Sequence, residues 1–309
     1  MMSIWRKIKE LWKSEENKAM NMEKIYQQVW EKLVEADFIV VGGASGMSAA
    51  GGPNWYVNDE NYRKYFGKLE EKYGSGSIWG LLYRGWENQQ NKWGYLATLI
   101  HWVRNQEVFQ PYKDLHELLR DKDYEIITTN QDQQFVKEFK EKDVAIIQGD
   151  WGYSHCLNRC CDEVYDNREV VETIFANLEN GTDVPADLVP KCPHCGGDMR
   201  PWVRGFEFLE GAFYHEQYKK YEEAIRKAES DNRKVVYLEL GVGMMTPMFI
   251  KEPFMNFTYR NPNATYITMN PKHAYVPDEL GHRGIAVKED IAVILKHLLY
   301  LKKEKEQVA

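Results

Sequence analysis

Apolar runs closed by glycine or by a polar residue recur along the chain in the rhythm of a parallel α/β sheet. Ile25, Val29, Leu33 and Val34 share one face of a helix predicted over 21–35. Phe38-Ile39-Val40-Val41 follows as a buried strand ending in Gly42-Gly43. After a helix near 112–120, the same pattern predicts strands over 124–129 and 144–147. Three more strands are predicted at 235–240, 265–269 and 284–287, and a helix from 289 to about 303 closes the chain.

Two stretches break the rhythm. Residues 55–110 are aromatic and polar, with Trp79, Trp86, Trp93 and Trp102 in helical surroundings, and read as a helical insertion or lid over the mouth of a site. Aromatics at such spacing are more often core than ligand box. Residues 151–233 read as loops, cysteines and a charged helix over 214–228, and so as a second domain. The expected architecture is α/β: a Rossmann-like, doubly wound parallel sheet with a helical insertion and a small zinc-ribbon domain. Residues 1–150 and 234–309 would form the nucleotide-binding part, with 151–233 the zinc-binding part. The amphipathic start carrying Ile4, Ile8, Leu11 and Trp12 is too broken for a signal-peptide core and reads as a helix packed on the body.

Composition narrows this further. With 309 residues, 43% of them hydrophobic and 28% charged, the chain is an ordinary globular protein of about two domains. Forty Lys+Arg against 47 Asp+Glu, a net charge of −7, argues against a grip on nucleic acid or anionic lipid. No window approaches the ~20 apolar residues of a membrane span. All five cysteines lie between Cys156 and Cys195, which suits a metal site in a cytoplasmic protein better than a secreted disulfide framework.

Cys156-x3-Cys160, an interval of 31 residues and Cys192-Pro-His-Cys195 have the pairing of a tetrahedral thiolate zinc site. Four thiolates leave no open position, so this zinc would be structural. Cys161, His155 and His194 stay open as substitute ligands. Gly43, Ala44, Gly46, Met47, Ser48 and Gly52 surround a turn small enough to bring backbone N–H groups to a phosphate, although a tight strand-to-helix crossing wants the same residues. Open α/β sheets bind ligands at the carboxyl ends of their strands. That rule selects Asn130, Asp132, Gln148 and Asp150, then Gly241 and Gly243, then Asn270. Asn130 could instead cap a helix, Asp132 could bond its own turn, and Asn270 could form a plain turn.

The order of these pieces from about Glu23 onward resembles the sirtuin (Sir2) family: the glycine loop Gly46-Met47-Ser48…Gly52, then Thr128-Thr129-Asn130-Gln131-Asp132, the zinc ribbon, Gly241-Val242-Gly243 and Asn270. The resemblance implies an NAD-consuming enzyme with a Rossmann-type domain and a zinc module, the substrate entering the cleft between them. The departures are informative. Ala44-Ser45-Gly46-Met47-Ser48 stands where a typical deacylase has Gly-Ala-Gly-Ile-Ser, and Pro53-Asn54-Trp55-Tyr56 replaces Pro-Asp-Phe-Arg. Asp132-Gln133-Gln134-Phe135 replaces Asp-x-Leu-His, and Gln148-Gly149 stands where the catalytic His-Gly is expected. Together with 239–247 and Tyr165-Asp166-Asn167, this looks like the class M sirtuins, linked to macrodomain proteins and lipoate-carrier operons.

That branch implies a protein ADP-ribosyltransferase acting on a lipoylated carrier of the glycine-cleavage H type, with a macrodomain hydrolase as antagonist. Asn130, Asp132 and Gln148 would be catalytic, and the glycine-loop residues, Gly241, Gly243 and Asn270 would complete the NAD contacts. A glutamine cannot accept the ribose-hydroxyl proton that deacylation requires, yet it can hydrogen-bond the ribose. Deacylase, NAD glycohydrolase and non-catalytic NAD or ADP-ribose sensor are the alternatives, and nicotinamide release separates the sensor from the enzymes.

Overall fold

A computed structural model describes residues 20–308, apart from 53, 54, 56 and 231. The amphipathic start from Ile4 to Trp12 lies outside the described residues, as do Pro53, Asn54 and Tyr56. The strands are β1 (Phe38–Gly43), β2 (Tyr124–Thr128), β3 (Val144–Ile146), β4 (Gly149–Cys156), β5 (Val164–Asp166), β6 (Met199–Val203), β7 (Val235–Leu240), β8 (Ala264–Met269) and β9 (Gly284–Val287). The helices begin with α1 over 20–35, α2 (Ser45–Ala49), α3 (Glu60–Tyr73), α4 (Ile78–Leu82), α5 (Gln89–Asn105) and α6 (Gln110–Leu119). They continue with α7 (Gln134–Glu138), α8 (Arg168–Ala176), α9 (Ala212–Ala228), α10 (Lys251–Arg260) and α11 (Ile291–Val308).

The six expected strands form one sheet in the order β3-β2-β1-β7-β8-β9. β1 pairs parallel with β7, β7 with β8 and β8 with β9. Every residue of β1, β7 and β8 is buried, which explains why these segments read as continuous apolar runs rather than as alternating ones. The order reverses between β1 and β7, the switch point at which doubly wound sheets gather ligand-binding loops. Among the described residues, no helix is long and apolar enough to cross a membrane.

The chain divides into two compact units. The first takes the chain up to Ala50, Lys113–Ile126 and everything from Ala224 onward; the second takes Gly51–Tyr112 and Ile127–Glu223. In the first unit, α10 lies close against the sheet: Phe254 is buried, with its ring centroid 5.1 Å from that of Tyr237. A Cβ on Gly42 would come within 2.3 Å of Ile250, so the end of β1 needs its glycine. The helix over 20–35 meets α11 where Tyr26 stacks on His297, ring centroids 4.3 Å apart.

The second unit is built around α5. Asn88 caps its start by accepting from the Asn91 amide, and Lys137 closes its end by donating to the carbonyls of Val103, Arg104 and Gln106. Trp93 and Trp102 are core residues of this unit, beside Phe66 and Tyr95. The stretch expected to be loops also contains an antiparallel sheet of order β5-β4-β6 and the helix α8, besides the expected charged helix. β4 reads Gly-Asp-Trp-Gly-Tyr-Ser-His-Cys, with two glycines and a register shift between Gly149 and Ser154, so no clean period of two marks it as a strand. α10, with a proline in its first turn, was equally hidden.

Candidate functional site

In the first unit the carboxyl ends of β1, β7 and β8 are tied together through backbone. The Ala44 amide donates to Leu240 O, Gly46 N to Gly241 O, and Gly241 N to Met269 O, each at 3.0 Å. Gly46 and Gly241 touch directly. A Cβ on Gly46 would lie 2.6 Å from Gly241 Cα, and one on Gly241, whose φ is +72°, would lie 2.5 Å from Gly46 Cα. The glycines therefore serve the close crossing of two strand ends, and the amides of Gly46 and Met47 are spent on Gly241 O and Ala44 O. Met47 and Ser48 are buried, whereas a Cβ on Gly243 would meet nothing within 4 Å.

Asn270 fastens the third strand end. Its Nδ2 donates to Val242 O at 3.2 Å, while Oδ1 accepts from the amides of Lys272 and His273, both at 2.9 Å. It forms a turn, the alternative weighed against an NAD contact, and also bridges to the Gly241-Gly243 loop.

Beneath these loops lies a buried charged cluster that the motifs missed. Glu239 Oε1 accepts from Val242 N at 3.0 Å, and its Oε2 accepts from Lys251 Nζ at 2.6 Å and from the Tyr266 hydroxyl. Lys251 donates again to His273 O at 3.1 Å. Burial and the adjacent Glu239 push the Tyr266 hydroxyl far above its ordinary pKa. Thus one carboxylate and one ammonium, both buried, brace the loops after β7 and β8. The sequence signal was a lone glutamate inside the apolar run Val235–Leu240.

In the second unit, Asn130, Asp132, Gln148 and Asp150 occupy two adjoining loops. Asn130 Nδ2 donates to the Tyr112 hydroxyl at 3.0 Å, and its amide donates to Thr128 Oγ1 at 2.9 Å. Asn130 is not a helix cap, because α7 starts after Gln133. Asp132 bonds its own turn, Oδ1 accepting from Gln134 N at 3.2 Å. Asp132 also helps line a small recess with Trp55, Trp102, Val103, Gln106, Phe109 and Gln134. Gly52 packs on this wall, since a Cβ there would come 2.3 Å from Phe109.

Gln148 is buried, its Nε2 donating to Ile147 O at 3.0 Å, while its own carbonyl accepts from Gln131 Nε2 at 2.8 Å and from Arg204 N at 2.9 Å. Asp150 accepts from Gly152 N at 2.5 Å and Gln133 Nε2 at 2.8 Å. Burial pushes its carboxyl up to about 6, against the pull of those two donors, and nearby Asp132 adds to the rise. Arg104, also missed from sequence, holds this end of β4: it donates to Gly152 O at 2.6 Å, Asn167 Oδ1 at 2.8 Å and Asp166 Oδ1 at 3.1 Å.

Cys156, Cys160, Cys192 and Cys195 converge, with Sγ–Sγ distances of 3.6 Å for Cys156–Cys195 and 3.5 Å for Cys160–Cys192. Tetrahedral zinc–thiolate bonds of ~2.3 Å put sulfurs about 3.8 Å apart, so the four fit a zinc ion. The knuckle is closed by Cys192 N donating to Gly197 O at 2.7 Å and by Gly197 N donating to Cys195 Sγ at 3.4 Å. His155 turns its Nδ1–H to the Cys156 carbonyl at 2.9 Å, and burial pushes its pKa down to about 4. Cys161 and His194 gather with Glu163 instead of with the four sulfurs.

A doubly wound sheet with glycine turns at its switch point, together with a four-thiolate knuckle, is the architecture of the Sir2 class of α/β proteins. No protein-family model matches the chain. A protein ADP-ribosyltransferase of Staphylococcus aureus is 33% identical over 265 residues, covering 84% of this chain and 82% of that protein. A probable bifunctional ADP-ribose hydrolase/ADP-ribosyltransferase of Fusarium oxysporum f. sp. cubense is 28% identical over 281 residues, 87% of this chain, which spans 47% of that protein's length.

Among solved structures, a Sir2 homologue bound to NAD aligns with a TM-score of 0.54 at 17% identity, over 90% of this chain and 94% of that one. A mutant Sir2 homologue bound to ADP-ribose aligns at 0.55 and 16% identity, over 91% and 98%. The chain belongs to the sirtuin (Sir2) family.

Proposed function

We propose that the protein is an NAD-dependent protein ADP-ribosyltransferase of the sirtuin type. Gln148 carries the reading. It follows β3 where the deacylase pattern has a histidine base, and a buried carboxamide has no basic site at neutral pH. Deacylation therefore lacks its proton acceptor, while cleavage of the nicotinamide–ribose bond does not need one at that atom. In the transfer, that C–N bond breaks with its electron pair leaving on nicotinamide. A nucleophilic side chain of the acceptor protein then bonds to the anomeric carbon and loses its proton to solvent.

In this reading the glycine-loop residues, Gly241, Gly243 and Asn270 contact the adenosine diphosphate part of NAD. Asp132 holds the nicotinamide carboxamide. Asn130, steadied by Tyr112, positions the ribose, and Gln148 orients it. Residues 1–150 with 234–309 serve as the NAD-binding part and 151–233 as the zinc module. We assign the chain to the macrodomain-linked branch, with a lipoylated carrier as acceptor and a macrodomain hydrolase as antagonist. The name of the Fusarium relative, which joins hydrolase and transferase, supports that link. We assign the reaction to the reducing cytoplasm, a reading that five cysteines without a disulfide support.

The test is intact-protein mass spectrometry of lipoylated and unlipoylated carriers after incubation with NAD, with nicotinamide followed in the same tube. The expected result is an ADP-ribose adduct that is lost with Gln148→Ala or Asn130→Ala. An acyl-ADP-ribose product, nicotinamide without an adduct, or NAD binding without turnover would each replace this reading, by deacylase, glycohydrolase and sensor respectively.

A further inference from the structure

We propose that Cys161, Glu163 and His194 form a second metal site beside the four-cysteine knuckle, taking a zinc-class divalent cation and leaving a coordination position to water. The Sγ, a carboxylate oxygen and an imidazole nitrogen all lie within 4.8 Å of one another. His194 Nε2 is 3.1 Å from Glu163 Oε2. The Tyr165 hydroxyl donates to the same carboxylate oxygen at 2.5 Å and lies 3.7 Å from Cys161 Sγ. Three different ligand chemistries thus converge on one point, and a fourth side chain holds two of them there.

The backbone explains the convergence. Cys161 directly follows the knuckle ligand Cys160, and His194 directly precedes Cys195, so closing the four-sulfur site also fixes the spacing of these two residues. Tyr165 is set by its register opposite Ser154 in the β4–β5 ladder. A sulfur, nitrogen and oxygen donor set suits zinc, and thiolate plus carboxylate neutralise its two charges. On binding, the Cys161 thiol proton is released to solvent.

A zinc ion held by four thiolates would leave two net negative charges next door, which would favour a second cation. Side-chain exposures of 54% for Glu163 and 49% for His194 leave the position open to exchange. This site is independent of the transferase reading.

The experiment is metal counting on the purified full chain after zinc loading and desalting, paired with a cobalt(II) titration followed by absorbance. Two equivalents are expected in the wild type and one in Cys161→Ser and His194→Ala, with thermal unfolding of the loaded variants matching the wild type. Cobalt should bind in two phases, the weaker one carrying a single-thiolate charge-transfer band that Cys161→Ser abolishes and Glu163→Gln weakens at least about tenfold in affinity. One equivalent in the wild type overturns the proposal, as does a second equivalent that survives both substitutions. Loss of the tight equivalent in Cys161→Ser also overturns it, because Cys161 would then belong to the knuckle.

Discussion

Replacing Asp150 with asparagine removes a charge from a fully buried position while keeping the oxygen that accepts from Gly152 and Gln133. In the folded protein burial pushes this carboxyl up to about 6 from an ordinary 3.8. Between those values the unfolded chain has released the proton and the folded chain still holds it. Stability therefore falls as pH rises through this window and levels off above about 6. A gap of about 2 pKa units at ~1.4 kcal/mol each amounts to ~3 kcal/mol.

Asparagine does not titrate, so the wild-type-minus-variant difference isolates this group together with its coupling to Asp132. Urea unfolding from pH 4 to pH 7 should show the variant gaining ~2.4 kcal/mol on the wild type, nearly all of it below pH 6.5. A difference that stays flat would refute the raised pKa. A difference of opposite slope would mean that Arg104 keeps the carboxylate ionised and that burial is not the dominant influence.

Two further substitutions probe the first unit. Glu239→Gln leaves the Lys251 ammonium, 4% exposed, without its counter-charge and should lower stability by ~3–5 kcal/mol. The paired Glu239→Leu, Lys251→Met protein should recover most of that loss in denaturant melts, and equal loss in both would show that the charges are not the reason. Gly241→Ala forces a Cβ to within 2.5 Å of backbone at a φ of +72°, and should cost at least ~2 kcal/mol in thermal unfolding and weaken NAD binding measured by calorimetry. A variant as stable as wild type would mean that the two turns separate easily.

The central sheet was legible because fully buried parallel strands need long apolar runs, and all six of its strands lie where those runs predict them. The second unit's small sheet was not. β4 mixes glycine, acid and aromatic residues because its side chains hold loops and a knuckle, and β6 carries a proline. Cysteine spacing was enough to select the four sulfurs that converge, yet spacing could not say where Cys161 points. Asn130, Asp132 and Gln148 could be selected from strand ends, whereas Tyr112 and Arg104 act from helices distant in sequence and left no local pattern. The glycine turn shows the same limit: small residues were evident, but only coordinates reveal that Gly46 is small because Gly241 lies against it.

β4 joins two chemistries end to end. Its first residue follows Gln148, and its last is the thiolate ligand Cys156, about 25 Å away at the usual strand rise. It is a single strut, gripped near one end by Arg104 and anchored at the other by the knuckle. One continuous strand therefore runs from the residue after Gln148 to the four-cysteine cluster.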